Sequence, residues 1–575
     1  MRIATPIVTL AAGFSFVSAV FAGEIENLWP AGKMPDFQPS QIALPADRVD
    51  DPEFRREERH LPYLEWCDAP AETDRTDLCL ILVSGGGYNT WCDTGLVEVW
   101  EKTFTALGVR CVKLVYRTPR PEGLAIHQSA WEDGQRAVRL VRSEAARRGF
   151  DSEKIGVISM SAGSHLAVLL ATSSETPAYA PVDSLDALPC HLNFALPNAI
   201  AYALTDGIGH PNETKGDGPD VRLDDIFKFD SKTCPMCMTH GGADPYSPIA
   251  STFVYRRLRK AGVPAELHLY PDRGHGAFGL DRQIEFLRET GFLKTPDAKI
   301  ELLTRYPDNS ARRLCVKEDV WPEGLVPDAQ PHQTKPYLEW HFPETRTSDA
   351  IQIVYSGGGY RDSVPDGFEV APVRRFLNGQ GLTVVTLNYR HPRPVGLPKH
   401  QTAWEDLQRA IRVVRHEAPR YGLDPQKIGI MGSSAGGHLT LLGVTSSSTA
   451  AYAPVDGIDA IPCNVQWAVA VYPAYALTDG ADGGNTSGGN DDSAVTVPEL
   501  AFDDALCPVL FLHGDADVYA AMNSVKCWER LRRAGVQSEL HTLALRPHCF
   551  QIRAREGTGS YTWMERIREF LAGRL

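Results

Sequence analysis

The sequence has no surplus of positive charge: 58 Lys and Arg stand against 72 Asp and Glu, a formal net charge of -14. Such a chain repels phosphate backbones and anionic lipid, so nucleic acid is not an expected partner. Closely spaced metal-ligand cysteines are absent as well. Of twelve cysteines, only Cys234 and Cys237 form a near pair, and no second pair stands at zinc-finger distance. Beyond the first 22 residues no uncharged stretch is long enough to span a bilayer. Nor is the chain short of apolar residues: 43% hydrophobic and 9% aromatic content supplies large cores and argues against long disorder.

What is present begins at the N-terminus. Met1-Arg2, the uncharged stretch Ile3 to Phe21 and the small Ala22 before Gly23-Glu24 have the layout of a secretory signal over residues 1–22. The expected destination is secretion or the periplasm, with no membrane span after the signal is removed. In that setting paired cysteines are permitted. Cys190 with Cys234 and Cys463 with Cys507 are the cysteines that recur at one offset, and each pair is a candidate disulfide.

The chain repeats itself. Ser84-Gly-Gly-Gly-Tyr88 is answered by Ser356-Gly-Gly-Gly-Tyr360, Tyr116-Arg117 by Tyr389-Arg390, and Ala130-Trp-Glu-Asp133 by Ala403-Trp-Glu-Asp406. From Tyr116 onward the offset is constant, as in Lys154-Ile-Gly156 and Lys427-Ile-Gly429. Solenoid periods are far shorter, so the expectation is two copies of one large domain, residues 23–300 and 315–575, with residues 301–314 as linker. Within each copy, short apolar runs such as Leu80-Ile-Leu-Val83 read as strands. Trp131 to Arg148 and Trp404 to Tyr421 read as amphipathic helices. Alternating strands and helices over such a length predict a mostly parallel sheet with helices on both faces.

Candidate chemistry sits where a strand turns sharply into a helix. Ser159-Met-Ser161-Ala-Gly163 and Gly432-Ser-Ser434-Ala-Gly436 each place a serine between small residues, the pattern that exposes Oγ above a sheet. A serine hydroxyl needs a base, and the base needs a carboxylate to hold its tautomer. Asp244 and His275 follow Ser161, and Asp517 and His548 follow Ser434, in the order Ser, acid, His. Asp515 competes with Asp517 but has Gly242 as its counterpart, which favours Asp517. Oxyanion donors are expected from the backbones of Gly86, Gly87 and Ala162, and of Gly358, Gly359 and Ala435. Neither triple-glycine turn is followed by Lys-Ser/Thr, which argues against a phosphate cradle. His165, His438, His240 and His513 read as structural. Asp479 to Asp492 lacks the spacing of a calcium loop and reads as a mobile loop near the site. No cofactor and no metal are implied.

Taken together, the strand-GGGY turn, Tyr-Arg, the Trp-Glu-Asp helix, Ser-Ala-Gly-x-His-Leu, His-Gly-x-x-Asp and the terminal His resemble bacterial α/β-hydrolase esterases similar to acetyl xylan and feruloyl esterases. Departures are Ser84 and Ser356 before the glycines, Ser159 at the first elbow, and Pro547 and Cys549 around the second His. The resemblance implies two tandem α/β-hydrolase domains, and a secreted serine esterase acting on short acyl esters, acetyl above all, of a small molecule or polysaccharide. A general carboxylesterase, a prolyl-oligopeptidase-like peptidase and a binding scaffold with inactive sites stay open as alternatives. The segments 205–233 and 478–506 are rich in Gly and Asp rather than apolar lids, and loops 209–215 and 482–488 differ in content, so different ester preferences are expected of the two copies.

Overall fold

A computed structural model describes residues 23–41, 62–67, 73–92, 95–206, 215–218, 220–295, 310–478, 494–503, 505–554 and 556–575. The expected signal 1–22, residues 301–309 of the expected linker, the loops 209–214 and 482–488, and Asp479 to Asp492 lie outside the described residues. Among those described, no helix is long and apolar enough to cross a membrane.

The first half contributes β1 (Ile25–Asn27), β2 (Tyr63–Cys67), β3 (Cys79–Val83), β4 (Arg110–Val115), β5 (Ile155–Met160), β6 (Phe194–Asn198), β7 (Met236–Gly241) and β8 (Ala265–Tyr270). The second contributes β9 (Ser310–Asp319), β10 (Tyr337–Pro343), β11 (Ile351–Tyr355), β12 (Thr383–Asn388), β13 (Ile428–Ser433), β14 (Trp467–Val471), β15 (Val509–Gly514) and β16 (Glu539–Leu543). Sheet order is β1-β2-β4-β3-β5-β6-β7-β8 and then β16-β15-β14-β13-β11-β12-β10-β9. From β4 to β8 neighbouring strands run parallel, β2 pairs antiparallel with β4, and β1 pairs antiparallel with β2 at the edge. The inner strands are apolar throughout because helices cover both faces: β3 and β11 are buried along their whole lengths. β9 opens at Ser310, so residues 310–314 of the expected linker lie in an edge strand paired with β10.

The helix Gln128–Arg148 buries Ala130, Ala137, Val138, Val141 and Ala145 and stops where Gly149 turns left-handed at φ 72°. Its counterpart Gln401–Glu417 gives way to a tight 3-10 turn, Ala418–Tyr421, because Pro419 has no N–H with which to continue the helix. Both helices carry the Glu-Asp of the repeated motif into a buried ion pair. Arg117 Nε reaches both Asp133 oxygens at 3.0 Å, its Nη2 lies 2.7 Å from Glu132, and Trp29 Nε1 donates to Asp133 at 2.7 Å. Arg390, Asp406, Glu405 and Trp321 repeat the arrangement. The Tyr-Arg and Trp-Glu-Asp motifs are thus structural: they tie the end of β4 to the helix and to the N-terminal tryptophan. Removing one partner of a buried pair strands the other charge, so Asp133→Ala is expected to cost about 3–5 kcal/mol. Urea unfolding reads this, and a loss below about 1 kcal/mol would contradict the assignment.

Antiparallel pairing of β8 with β16 fuses the two halves into one 16-stranded sheet. At its centre His268 and His541 meet Nδ1 to Nδ1 at 2.9 Å, each bound on its other nitrogen by Glu266 or Glu539. Asp515 accepts from the N–H groups of Ala265 and Leu545 at 2.8 and 2.9 Å and pairs with Arg259 at 3.0 Å. Burial pushes this carboxyl up to about 6. Asp515 therefore serves the junction of the two halves.

The expected disulfides do not form. All twelve cysteines are free, and the Cys190 and Cys463 thiols point instead at the carbonyls of Ser174 and Ser447, 3.3 Å away in each case. Burial raises the pKa of both thiols and of Cys234 and Cys507, which keeps them protonated and unreactive.

Candidate active site

Each candidate serine caps a helix at the end of a central strand. Ser161 joins β5 to the helix Ala162–Thr172 at φ 59° and ψ -124°, and Ser434 joins β13 to Ala435–Thr445 at φ 56° and ψ -119°. A non-glycine residue in that region is strained, and the sharp turn it makes is what lifts Oγ out of the sheet. Small neighbours are obligatory: a Cβ on Gly163 would stand 2.4 Å from the Ser84 carbonyl, and one on Gly436 2.5 Å from that of Ser356. Ser159, unusual at the first elbow, fits because its hydroxyl bonds Ser164 Oγ at 3.1 Å.

In the second half the predicted residues form one hydrogen-bonded chain. His548 Nε2 lies 2.8 Å from Ser434 Oγ, and His548 Nδ1 lies 2.7 Å from Asp517. In the first half His275 Nδ1 lies 2.8 Å from Asp244, while Ser161 and His275 face one cavity without a hydrogen bond between them. Such bonds are commonly long before substrate arrives. The acids are shaped alike: His240 and His513 approach Asp244 and Asp517 at 3.3 and 3.4 Å, on the same carboxylate oxygen, Oδ2, that the candidate base contacts. Burial raises both carboxyls, and hydrogen bonds from the two histidines more than offset it, holding Asp244 and Asp517 below the usual carboxylate range. His240 and His513 are also bound to Ser251 and Ser524, which fits their structural reading.

The expected oxyanion donors line the two cavities. Gly86 and Gly87 border a cavity of about 330 Å³ with Ser161 and His275, and Gly358 and Gly359 one of about 430 Å³ with Ser434 and His548. All four glycines have positive φ, a conformation that costs them no steric penalty. Ala162 and Ala435 open their helices, where N–H groups have no intrahelical acceptor. Gly85 and Gly357, one residue earlier, come closest to the candidate serines: a Cβ there would stand 2.9 and 2.7 Å from the serine Cβ.

Several residues that sequence reasoning passed over hold this geometry. Arg120 Nε donates to the Gly87 carbonyl at 2.9 Å, and its Nη2 to Tyr202 Oη at 3.2 Å; Arg393, Gly359 and Tyr475 do the same. Tyr202 in turn meets Tyr246, whose ring packs 5.0 Å from His275. These residues recur at the repeat offset, the signal by which they could have been found. The Tyr of each GGGY turn bonds the histidine four residues after the serine, Tyr88 to His165 and Tyr360 to His438, both at 2.8 Å.

Glu369 has no counterpart. Its carboxyl accepts the Gly357 N–H at 2.8 Å and the Tyr472 hydroxyl at 3.0 Å, and it borders the second cavity. The first half places Val97 and Ala199 at those positions, and its cavity is walled by Leu96, Val97, Trp100 and Met160. Burial pushes the Glu369 carboxyl up. Glu369→Val, measured in a Ser161→Ala background, is expected to lower kcat about ten- to a hundredfold by releasing the glycine turn. An unchanged kcat would show that the turn holds without it.

A model of the prolyl oligopeptidase family matches residues 129–296. The chain is 30% identical over 141 residues to the probable carboxylic ester hydrolase LipM of Mycobacterium tuberculosis, covering 24% of this chain and 31% of that protein. It is 34% identical over 106 residues to an acetylxylan esterase of Xylanibacter ruminicola, covering 17% and 19%. The chain thus spans from 19% to 31% of the length of these curated relatives. Among solved structures, the acetyl ester-xyloside bifunctional hydrolase of Caldicellulosiruptor lactoaceticus is similar at 22% identity and a TM-score of 0.36, over 48% of this chain and 99% of that one. The BD-FAE family model matches residues 68–188, which hold Ser161, and 338–526, which hold Ser434 and Asp517. Because these two stretches make up more than half of the sequence, the chain belongs to the BD-FAE family.

Proposed function

We propose that the protein is an exported serine esterase with two active sites, formed by residues 23–300 and 315–575, that removes short acyl groups, acetyl above all, from carbohydrate or related esters. The Ser434–His548–Asp517 hydrogen-bonded chain at the mouth of a cavity carries this reading. Ser434 and Ser161 are the nucleophiles, His548 and His275 the bases, and Asp517 and Asp244 hold each base with Nδ1 protonated. The base takes the serine proton as Oγ attacks the ester carbonyl, and N–H groups of the glycine turn and of Ala435 or Ala162 receive the oxyanion. His then protonates the departing alkoxide, and water, activated by the same His, releases the acid from the acyl-serine.

A panel of acetyl, butyryl, octanoyl and feruloyl esters with acetylated xylan tests the substrate class. Acetyl esters should turn over fastest, and faster octanoyl hydrolysis would overturn the short-acyl assignment. The match to the prolyl oligopeptidase family supports one second reading, a peptidase. Cleavage of prolyl anilides above the rate on acetyl esters would establish it in place of the esterase.

A further inference from the structure

Beyond the ester chemistry, we propose that the second half holds a divalent transition-metal ion, zinc by donor set, on His400, His438 and Glu499. The Glu499 carboxylate lies 3.7 Å from His400 Nδ1 and 3.8 Å from His438 Nε2, and all three donor atoms fall within 4.8 Å of one another. Those separations exceed a hydrogen bond. Both nitrogens are buried without a hydrogen-bond partner, although His438 is fully buried and His400 only 6% exposed. Buried polar atoms left unpaired cost free energy, and here two of them face the same carboxylate.

The donors suit a metal in kind and in state. Two imidazoles and one carboxylate are a set that zinc takes, with Zn–N near 2.0–2.1 Å, which places tetrahedral donors roughly 3.3 Å apart. Closing the observed set onto an ion therefore needs shifts of well under about 1 Å per donor. Burial lowers the pKa of both histidines, that of His400 to about 4, so each offers a neutral lone pair at neutral pH. Lys399 adds to that effect on His400 while its ammonium rests over the Tyr475 ring. With Nδ1 protonated and donating to Tyr360 Oη at 2.8 Å, His438 would present Nε2 to the ion, the outer hydrogen bond typical of metal-bound imidazole.

A packed histidine pair with no further role is the alternative, and the first half displays it. His127 and His165 stack there with ring centroids 5.2 Å apart, against 5.4 Å for His400 and His438. Ile226 stands where the second half has Glu499, and Asp224 spends an oxygen on the Ile226 N–H at 3.0 Å. The stacked pair is thus common to both halves, while the third ligand belongs to one. Glu499 is 25% exposed at its side chain, which leaves the ion a route in.

Zinc binding to the full chain tests this. After stripping with a chelator, the protein is equilibrated with buffered zinc and its bound metal counted, in parallel with Glu499→Gln, His400→Asn and the control His127→Asn. Because the clusters Cys237–Glu266–His268 and Cys315–Glu339–His341 also offer donors, the decisive quantity is the difference between variants. Glu499→Gln, a replacement at a partly exposed position, should lose one zinc per chain, or bind it more than about a hundredfold more weakly. His400→Asn should behave likewise, and His127→Asn should match the parent. Cobalt in place of zinc should give visible bands of a tetrahedral site in the parent and not in Glu499→Gln. An equal zinc count and affinity in the parent and Glu499→Gln, or no binding tighter than about 10 µM in the parent, overturns the proposal. Neither result depends on ester hydrolysis.

Discussion

Ser161→Ala combined with Ser434→Ala is expected to leave the protein folded and to lower ester hydrolysis by at least about 10⁴-fold, while each single variant retains the activity of the other site. Nucleophile, base and acid act as a unit, so losing the serine forfeits nearly all that the triad supplies and leaves only what the glycine turn contributes. Independence follows from placement. Ser161 directly follows β5 and Ser434 directly follows β13, strands separated in the sheet order by β6, β7, β8, β16, β15 and β14. Each serine borders its own cavity with its own histidine and glycines. The residual profiles should also differ. Ser434→Ala leaves the cavity walled by Leu96, Val97, Trp100 and Met160, and Ser161→Ala leaves the one bordered by Glu369 and Asp362. Relative rates on butyryl and acetyl esters should therefore favour butyryl more strongly in Ser434→Ala. If one single variant abolishes all hydrolysis while remaining folded, the other half is a binding or structural copy.

The second large effect separates two acids only two residues apart. Asp517→Asn should reduce turnover at the second site by about 10⁴-fold with little loss of stability, because His548 would lose the carboxylate that fixes its tautomer. Asp515→Ala should do the reverse. It strands the Arg259 guanidinium and the N–H groups of Ala265 and Leu545 at the junction of the halves, at a cost of about 3 kcal/mol or more. Turnover per folded molecule should stay near that of the parent. Measurements of kcat and of urea unfolding on both variants decide the matter, and a crossed result would exchange the roles.

Much of this was legible in the sequence because it depends on local spacing. The elbow needs small residues two before and two after the serine, and Gly163, Gly432 and Gly436 reveal it. Inner parallel strands read as unbroken apolar runs because both faces are covered, as in Leu80-Ile-Leu-Val83. What escaped has no local signature. The β8–β16 pairing rests on the register of Leu269 with Leu540 and His268 with His541, and an edge strand that pairs looks like one that does not. Glu369 reaches the glycine turn from twelve residues beyond Gly357, and the comparison of copies that brought out the candidate triads works against it, since Val97 stands at its place. The cysteine pairs misled for the same reason: recurrence at one offset records duplication, and Cys190 and Cys234 recur as separate buried thiols.

Covalent labelling with a small alkyl fluorophosphonate, followed by intact-mass and peptide mass spectrometry, tests the two-site serine mechanism most directly. The reagent mimics the tetrahedral intermediate and marks only serines whose hydroxyl is activated by a base. Two adducts per chain are expected, one on Ser161 and one on Ser434, with Ser434→Ala retaining the first and Ser161→Ala the second. A chain that takes up no label, or carries it on any other serine, would contradict the mechanism.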